Sequence, residues 1–510
     1  MPPSAEEAYL FAHATLREAA YQLWLPSDRA RLHAFALEIL EALPESELER
    51  MAPELAGHAH WAQQGVDAQR DVAVLATLRS KELVHLKRAK ALASRKYQKQ
   101  RVIHFCQCIL AIKGIDRADE AESEQQLAHE LLDTGKLDGA LEHYTRLQKL
   151  GQELGKGSFV SSALVGIARI AGTRSKKAEA EQCLKEAYEV ARAAGEIAQQ
   201  CVALNWLGGL LEDTGRAHQC EAVFRQSIEI ARAGGVRQSY LSALGTLANH
   251  FRHIGRLEES AKAMQEVLAG FEEIGNPRDI SVALNNMART LMLLGRLDEA
   301  DNAFSQALEL LAPAGQVFSV AFSLGNVADI WLQRGKVDQA RDALHRAIVI
   351  CDETASLMYR AAYKASLAGL ELLTGRRELA QELIEESRSD FIHSGAEQYV
   401  PDYCDIVRLR IAADAATECA APVGRKTAKV NTLAPRGSWL PVMRQILEGM
   451  KKSLSIQKTG VFELKRSIEL GGALLSEVEA AVKDNRPARV VHGFRPEEIS
   501  PELRSALGLT

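Results

Sequence analysis

The sequence contains two short clusters of histidine, or of histidine with cysteine, which are residue types that can bind a metal ion. One cluster is His58 and His60, and the other is His104, Cys106 and Cys108. A structural zinc site usually takes paired ligands from two places in the chain. On a helix, residues two positions apart point to different sides. We therefore expect neither cluster to hold zinc, and the sequence predicts no metal site and no cofactor.

The sequence lacks the motifs of nucleophilic catalysis and phosphoryl transfer. It contains neither the G-x-S-x-G nucleophile elbow nor the G-x-x-x-x-G-K-[ST] phosphate loop. The run Gly155–Lys156–Gly157–Ser158 resembles a phosphate loop superficially, but it lies at a recurring turn and no strand precedes it. We therefore predict no catalytic residues and a protein that is not an enzyme. An enzyme with an unrecognised site in residues 438–510 is the least favoured alternative.

The composition excludes several classes of protein. The chain has 510 residues, of which 47% are apolar and 25% charged, with a formal net charge of −5. These values are ordinary for a globular chain and exclude a disordered polymer, a collagen and a membrane bundle. There is neither a secretory signal nor an apolar run long enough to span a bilayer. We expect a cytoplasmic protein whose eight cysteines are free.

A basic segment lies between the N-terminal helices and the middle of the chain. Residues 79–101 carry nine Lys or Arg residues and one acid, Glu82. The central residues of this basic patch are Lys87, Arg88, Lys90, Arg95 and Lys96. An anionic partner such as nucleic acid, an acidic protein or a lipid surface is one interpretation. We favour the other, a solvated helix face that joins two helical blocks, because such runs are common on long helices. Nucleic acid is therefore not an expected partner.

A repeat with a period of 40 residues organises the middle of the chain. Its marker is a glycine followed by a basic residue, with serine in one copy: Gly135, Ser175, Gly215, Gly255, Gly295, Gly335 and Gly375. A small residue follows five positions later: Ala140, Ala180, Cys220, Ser260, Ala300, Ala340 and Ala380. A second glycine lies twenty residues after each marker except one, where Ala355 stands. Because glycine readily adopts the left-handed backbone that ends a helix, each unit is predicted to hold two helices.

These recurring residues resemble the pattern of the tetratricopeptide repeat (TPR) family in its longer form, which has about 40 residues per repeat. The resemblance rests on a Leu-Gly or Leu-Ala pair in the first helix, as in Leu207–Gly208, on Gly-Arg or Gly-Lys at the turn, and on a small residue in the second helix. It implies an all-α fold, a right-handed α-solenoid of about seven tetratricopeptide helix pairs with helical blocks at both ends. The solenoid is expected over residues 119–414, as seven repeats and a capping helix.

The two ends of the chain differ from the repeats. Residues 1–66 carry short motifs around Phe11, Tyr21 and His58. They resemble the segment that links the ATPase to the TPR array in bacterial signalling ATPases associated with adenylate cyclases and serine/threonine kinases. Residues 67–118 are expected to form a basic helical connector with a degenerate repeat. Residues 415–437 are read as a linker, and residues 438–510 as a small helical C-terminal region.

The resemblance also implies where a partner would bind. In TPR proteins the first helix of each pair lines the concave surface. The residues expected to line it here are Arg169, Asn205, Trp206, Asn249, Asn285, Asn286, Arg289, Asn326 and Asp329. Asn offers both a donor and an acceptor, and Arg a planar fork, so such a row can hold a peptide backbone or a carboxylate. An equally weighted alternative is that these residues are ordinary polar side chains on a solvent-exposed face.

The sequence thus predicts a class of function without naming the partner. The favoured reading is a non-catalytic protein-protein interaction scaffold or adaptor, in bacterial signalling or regulation. It would bind a partner peptide or helix in the solenoid groove through many modest contacts. The alternative is a regulatory or sensor subunit that controls an ATPase, kinase or cyclase in trans.

Overall fold

The protein is all-helical in the part of the chain that the structure describes. This computed structural model describes residues 21–65, 71–96, 98–174, 176–311, 317–354, 356–420, 439–456, 461–484, 490 and 493–507, and no β-strand forms within them. The all-α prediction is confirmed. Four features from the sequence lie outside the described residues, namely Phe11, Ser175, Ala355 and the linker from residue 421 onward. Residue contacts divide the chain into two units, 1–130 and 131–510.

The first unit contains five described helices before the repeats begin. Their bounds are α1 Pro26–Glu41, α2 Glu45–Arg50, α3 Ala52–Ala62, α4 Val72–Arg95 and α5 Lys99–Leu110. Pro26 and Pro53 both lie in the first turn of a helix, where a missing N–H costs no intrahelical hydrogen bond. Leu37, Leu48 and Leu55 form part of a core shared by α1, α2 and α3. Burial of these side chains is what holds the short helices in place.

The second unit is built from pairs of helices that repeat every 40 residues. Helix α6, Arg117–Asp133, crosses the boundary between the units. The helices that follow are α7 Leu137–Glu153, α8 Gly157–Thr173, α9 Lys177–Ala193, α10 Ile197–Asp213, α11 Ala217–Ala233, α12 Arg237–His253, α13 Leu257–Ile274, α14 Pro277–Leu293, α15 Leu297–Leu311, α16 Val317–Gln333, α17 Val337–Glu353, α18 Leu357–Leu373 and α19 Arg377–His393. Even numbers are first helices of a pair and odd numbers are second helices.

The turn inside each pair explains the glycine marker. At Gly255 the backbone has a φ of 81°, a region that residues with a side chain rarely adopt. The amide of Arg256 donates to the carbonyl of Phe251 at 2.8 Å, and the amide of Gly255 donates to that of Arg252 at 3.2 Å. This is the Schellman arrangement, which satisfies the last carbonyls of a helix. Helix α12 therefore ends here, and α13 begins two residues later.

The small residues of the second helices lie where the helices pack most closely. All seven of them are at most 1% exposed, from Ala140 to Ala380. In the pair α10 and α11, Gly208 makes room for the ring of Phe224, which a Cβ at position 208 would overlap. Close helix packing needs small side chains at the points of contact. The recurring alanine is thus a packing requirement of the repeat.

The first helices form the concave side of the repeat array. Successive first helices contact one another, as α8 does α10, α10 does α12, and α14 does α16. Among the described residues no pair of successive second helices packs comparably. Since the inner side of a curved array is the side on which neighbours come closest, the first helices face inward. This is the side that the sequence predicts for partner binding.

The repeats are followed by four further α-helices. After a short π-helical segment at Pro401–Asp405 come α20 Ile406–Ala420, α21 Trp439–Ile456, α22 Val461–Lys483 and the short α23 Pro501–Ala506. Leu409, Met443 and Leu474 pack together in the core of α20, α21 and α22. Helix α20 continues to Ala420, beyond the predicted start of the linker at residue 415, because its alanine-rich end favours helix. None of the helices described in the structure is long and apolar enough to cross a bilayer.

Candidate binding groove

One group of predicted groove residues meets between the first helices α8 and α10. The guanidinium carbon of Arg169 lies 4.6 Å from the centroid of the Trp206 ring, a cation–π contact. Its Nη2 is 3.2 Å from Oδ1 of Asp133, at the end of α6. The Trp206 side chain remains 44% exposed. A large aromatic residue held rigidly and left open to solvent is a typical anchor for a partner.

A second group lies between the first helices α14, α16 and α18. Water reaches the carboxylate of Asp329, but the surrounding protein atoms still desolvate it and raise the pKa of Asp329 to about 6. The positive charge of Arg289 opposes that rise in the Asp329 pKa. Burial also raises the pKa of Tyr359, and the negative charge of Asp133 adds to this effect. Desolvation is thus the largest influence on the pKa of both Asp329 and Tyr359.

Tyr363 is the most enclosed polar side chain of this second group. It is 7% exposed, and its hydroxyl has no hydrogen-bond partner among the described residues. Its ring packs against Gly325, where the missing side chain leaves room for it. Burial raises the pKa of Tyr363 well above its ordinary value, so it is a neutral phenol that can donate a hydrogen bond.

The predicted asparagines divide into two kinds. Asn285 is 1% exposed, and its Nδ2 donates to the Ser281 carbonyl at 2.8 Å and to Ser323 Oγ at 2.9 Å. It therefore links α14 to α16 and does not line the groove as expected. Its neighbour Asn286 is half-buried. The reason is geometric, because adjacent residues on a helix point about 100° apart and only one can face the groove.

The remaining asparagines are partly exposed. Asn205 and Asn249 each have a buried side-chain oxygen without a hydrogen-bond partner among the described residues. The Nδ2 of Asn326 donates to the carbonyl of Phe322 at 2.7 Å. The Nδ2 group of Asn326 is thus used within its own helix, whereas the side chains of Asn205 and Asn249 stay half-buried on first helices.

The basic patch is largely neutralised by acids of the first unit. Lys87 forms an ion pair with Asp119, and Arg95 one with Glu49. Another joins Nη2 of Arg88 to Oε1 of Glu45 at 3.0 Å. Lys90 is half-buried, and Lys96 is exposed at the end of α4. These ion pairs favour the solvated-face interpretation of the segment.

The histidine and cysteine clusters point in different directions. Nδ1 of His58 lies 2.8 Å from Nδ1 of His33 on α1, whereas Nδ1 of His60 lies 2.9 Å from Oε1 of Glu82 on α4. In the other cluster, His104 and Cys108 meet on one face of α5, with Nε2 3.7 Å from Sγ, whereas Cys106 is buried on the opposite face. No group of three metal-binding side chains occurs among the described residues. Gly155 lies in the turn between α7 and α8 with a φ of 62°.

Sequence reasoning missed the two tyrosines of the second group and Asp133. Tyr359 and Tyr363 are four residues apart on a first helix, so they lie on the same face. Aromatic residues make up only 5% of this chain, and two on one face of a first helix are a signal that could have been used. Asp133 gave no such signal, because its charge acts on Tyr359 although the two residues lie far apart in the sequence.

Comparisons with known proteins agree with the repeat architecture. Residues 158–387 match the family model described as the MalT-like TPR region. Among curated proteins none matches the sequence. Solved structures that resemble the chain include a Rap protein complexed with competence and sporulation factor, with 12% identity, a TM-score of 0.44, and coverage of 80% of this chain and 100% of that one.

Two further structures show the same kind of likeness. A signal transduction ATPase with numerous domains and a tetratricopeptide repeat sensor, from Pyrococcus horikoshii, has 15% identity and a TM-score of 0.43, with coverage of 78% of this chain and 63% of that one. BtubC from P. vanneervenii has 16% identity and a TM-score of 0.37, with coverage of 51% and 98%. The helix pairs and their glycine turns agree with the family match: residues 158–387 form repeated helix pairs of the tetratricopeptide kind, similar to the MalT-like TPR region.

Proposed function

We propose that this protein is a non-catalytic scaffold or adaptor that binds a partner peptide or helix along the concave side of its repeats. The observation that carries the proposal is the exposed Trp206 ring, which lies against the guanidinium of Arg169 on the first helices α8 and α10. An exposed aromatic anchor beside half-buried asparagine side chains suits an extended peptide, which offers side chains and backbone N–H groups alternately. We place this activity in bacterial cytoplasmic signalling.

The test compares two variants of the full-length chain as affinity baits. In the groove variant, Trp206→Ala and Arg289→Glu alter both groups on the concave side. In the control, Arg225→Glu alters an exposed residue of α11, a second helix on the opposite side. Each bait is incubated with a lysate of the source organism, and the bound proteins are quantified by mass spectrometry. A partner retained by the wild type and the control, and lost at least tenfold by the groove variant, is expected.

Two further outcomes would contradict the proposal. If every retained protein binds the groove variant as well as the wild type, the concave side is not the binding site. Calorimetric titration of the purified chain with ATP and GTP addresses the non-catalytic part of the proposal. Saturable nucleotide binding would contradict it.

The alternative of a regulatory subunit is a proposal about which partner binds. It is supported by the resemblance of residues 1–66 to the segment after a signalling ATPase. Under this proposal the retained partner is an ATPase, kinase or cyclase, and its activity changes when the purified chain is added. A retained partner of another class, with no such activity, favours the adaptor.

A further inference from the structure

The C-terminal strap, residues 493–507, folds back onto the repeats at the turns of the last two helix pairs. The hydroxyl of Ser500 accepts from the Leu503 amide at 3.1 Å, which caps α23, and donates to the carbonyl of Gln333 at the end of α16. A Cβ at Gly335 would lie 2.7 Å from the Glu502 carbonyl oxygen. Gly335 is therefore needed for the strap as well as for the turn between α16 and α17, because a side chain at this position would push the strap away.

The strap covers an apolar surface that belongs to the repeats. Leu503 and Ile499 are 4% and 3% exposed, and they pack with Leu373 at the end of α18. Leu332 and Val337 border the same cluster. Without the strap, these residues of three different repeat helices would form a continuous exposed patch, and such patches mark interaction surfaces.

A second contact fixes the position of the strap along this surface. Nη1 of Arg410, on α20, lies 2.8 Å from Oε2 of Glu498, and both side chains are nearly buried. The Arg410 guanidinium also stacks on the ring of Phe494 at 3.9 Å. Gly493 passes so close to the backbone of α20 that a side chain there would collide with the Arg410 carbonyl. A buried charge pair of this kind sets register more than it adds stability.

The strap is nevertheless a small element. Helix α23 has six residues, of which Leu503 alone is buried. An isolated helix of that length is not stable in water, so the strap owes its structure to the surface it covers.

We propose that the strap is a displaceable internal ligand, and that the surface under it is a docking site for a short helix of the same chemistry in a partner. That helix carries an N-cap Ser or Thr, an aliphatic residue three positions later that takes the place of Leu503, and an acidic residue two positions before the cap that pairs with Arg410. The partner and the strap exclude one another. This site is distinct from the concave groove and holds whether or not the groove binds a peptide.

The experiment cleaves the chain just before the strap and tests whether a free peptide of the strap sequence can take its place. A protease recognition sequence is inserted between residues 484 and 490 of the full-length chain, and the folded protein is cleaved there. The probe is a fluorescein-labelled peptide of residues 490–510, and its binding is followed by polarisation. After gel filtration of the cleaved chain, the probe is expected to bind with at least tenfold higher affinity than to the uncut chain, because the tethered strap competes.

Two variant peptides make the result specific. Leu503→Asp should abolish binding, whereas Ser505→Asp, on the exposed side of the same helix, should leave it within twofold. The proposal is overturned if the probe binds cut and uncut protein equally, if it binds neither, or if Leu503→Asp binds like the unmodified peptide.

Hydrogen exchange on the intact chain supplies an independent check. If the strap opens on its own, the amides of Leu503 and Arg504 exchange at least a hundredfold faster than those in the middle of α18. Equal protection of the two segments would mean that the strap opens only when the repeats unfold, and the proposal fails.

Discussion

The two units of this protein join their helices by different means. In the first unit a histidine lies at each of three helix contacts: His33 with His58 between α1 and α3, His60 with Glu82 between α3 and α4, and His85 with Glu41 between α4 and α1. In the repeats most of the corresponding contacts are made by buried alanines and by large apolar side chains such as Phe224, Met264 and Phe304. One contact there also uses a histidine, since Nδ1 of His250 on α12 lies 2.9 Å from Oε1 of Glu212 on α10. The difference teaches that the first unit relies on histidine at its helix contacts, whereas the repeats rely mainly on shape.

Deletion of a buried ring should have the largest effect, and it should fall on the repeats. Phe304 in α15 is fully buried. Phe304→Ala leaves a cavity and is expected to lower the free energy of unfolding of the second unit by about 3–5 kcal/mol. The measurement is chemical denaturation followed by hydrogen exchange, which reports each unit separately. The control is Val349→Ala on α17, whose side chain is 54% exposed and whose loss should change little. A change below about 1 kcal/mol for Phe304→Ala would show that the array does not depend on this packing.

Enlargement of a repeat alanine should have a smaller effect on the same unit. Ala300 is fully buried where α15 meets its partner helix. Ala300→Leu adds volume to a filled contact and should cost about 1–3 kcal/mol. Ala300→Ser keeps the volume nearly constant and is the small-residue control, since Ser260 occupies the same position in another repeat. A small loss is expected for its buried hydroxyl, because the hydroxyl of Ser260 pairs with Thr290 and the equivalent residue here is Ile330. Equal stability of the leucine and serine variants would mean that close approach of the helices is not required there.

Acidification should loosen the first unit at its contact between His33 and His58. Burial lowers the pKa of His33, and the charges of His58 and Arg29 lower it further. Burial also lowers the pKa of His58, although Glu54 opposes this. The unfolded chain therefore binds protons more readily than the folded one, and stability is lost as the pH falls through about 6.5. Hydrogen exchange between pH 7.5 and 5 should show α1 and α3 losing protection first.

Replacement of one member of the pair gives the control for that experiment. With His58→Gln, one of the two charges that meet on acidification is gone, so the protection of α1 should depend less on pH. If α1 and α3 keep full protection at pH 5 in the wild type, the histidine pair does not govern this contact.

The repeat fold could be predicted from the sequence because its determinants are local. A left-handed glycine followed by a basic residue ends one helix and starts the next, so each Gly marker locates a turn, as Gly255 shows between α12 and α13. The candidate site could be predicted only in part. Arg169 and Trp206 meet because they occupy neighbouring first helices, which the period alone determines.

The other features of the site and the fold could not be predicted, because they depend on the direction of a side chain around its helix and on contacts between residues far apart in the chain. Asn285 and Asn286 were both expected in the groove, although one helical step turns the first of them into the α14–α16 contact. The charge of Asp133 acts on Tyr359, which lies more than two hundred residues later in the chain. The strap likewise depends on contacts such as Arg410 with Glu498, which join distant parts of the sequence and leave no periodic signal.

Charge reversal in the basic patch should have the smallest effect of all. Lys87, Arg88 and Arg95 pair with acids at partly exposed positions, and pairs of this kind contribute about 0–1 kcal/mol each. Reversal of Lys87, Arg88 and Lys90 to Glu should therefore lower the stability of the first unit slightly, and less so at high salt, because ions screen exposed pairs. If the same variant also binds every groove partner with unchanged salt dependence, the patch holds the first unit together and takes no part in recognition. A loss of partner binding that grows as salt is lowered would instead make the patch a second recognition surface, and the first unit would then share in binding.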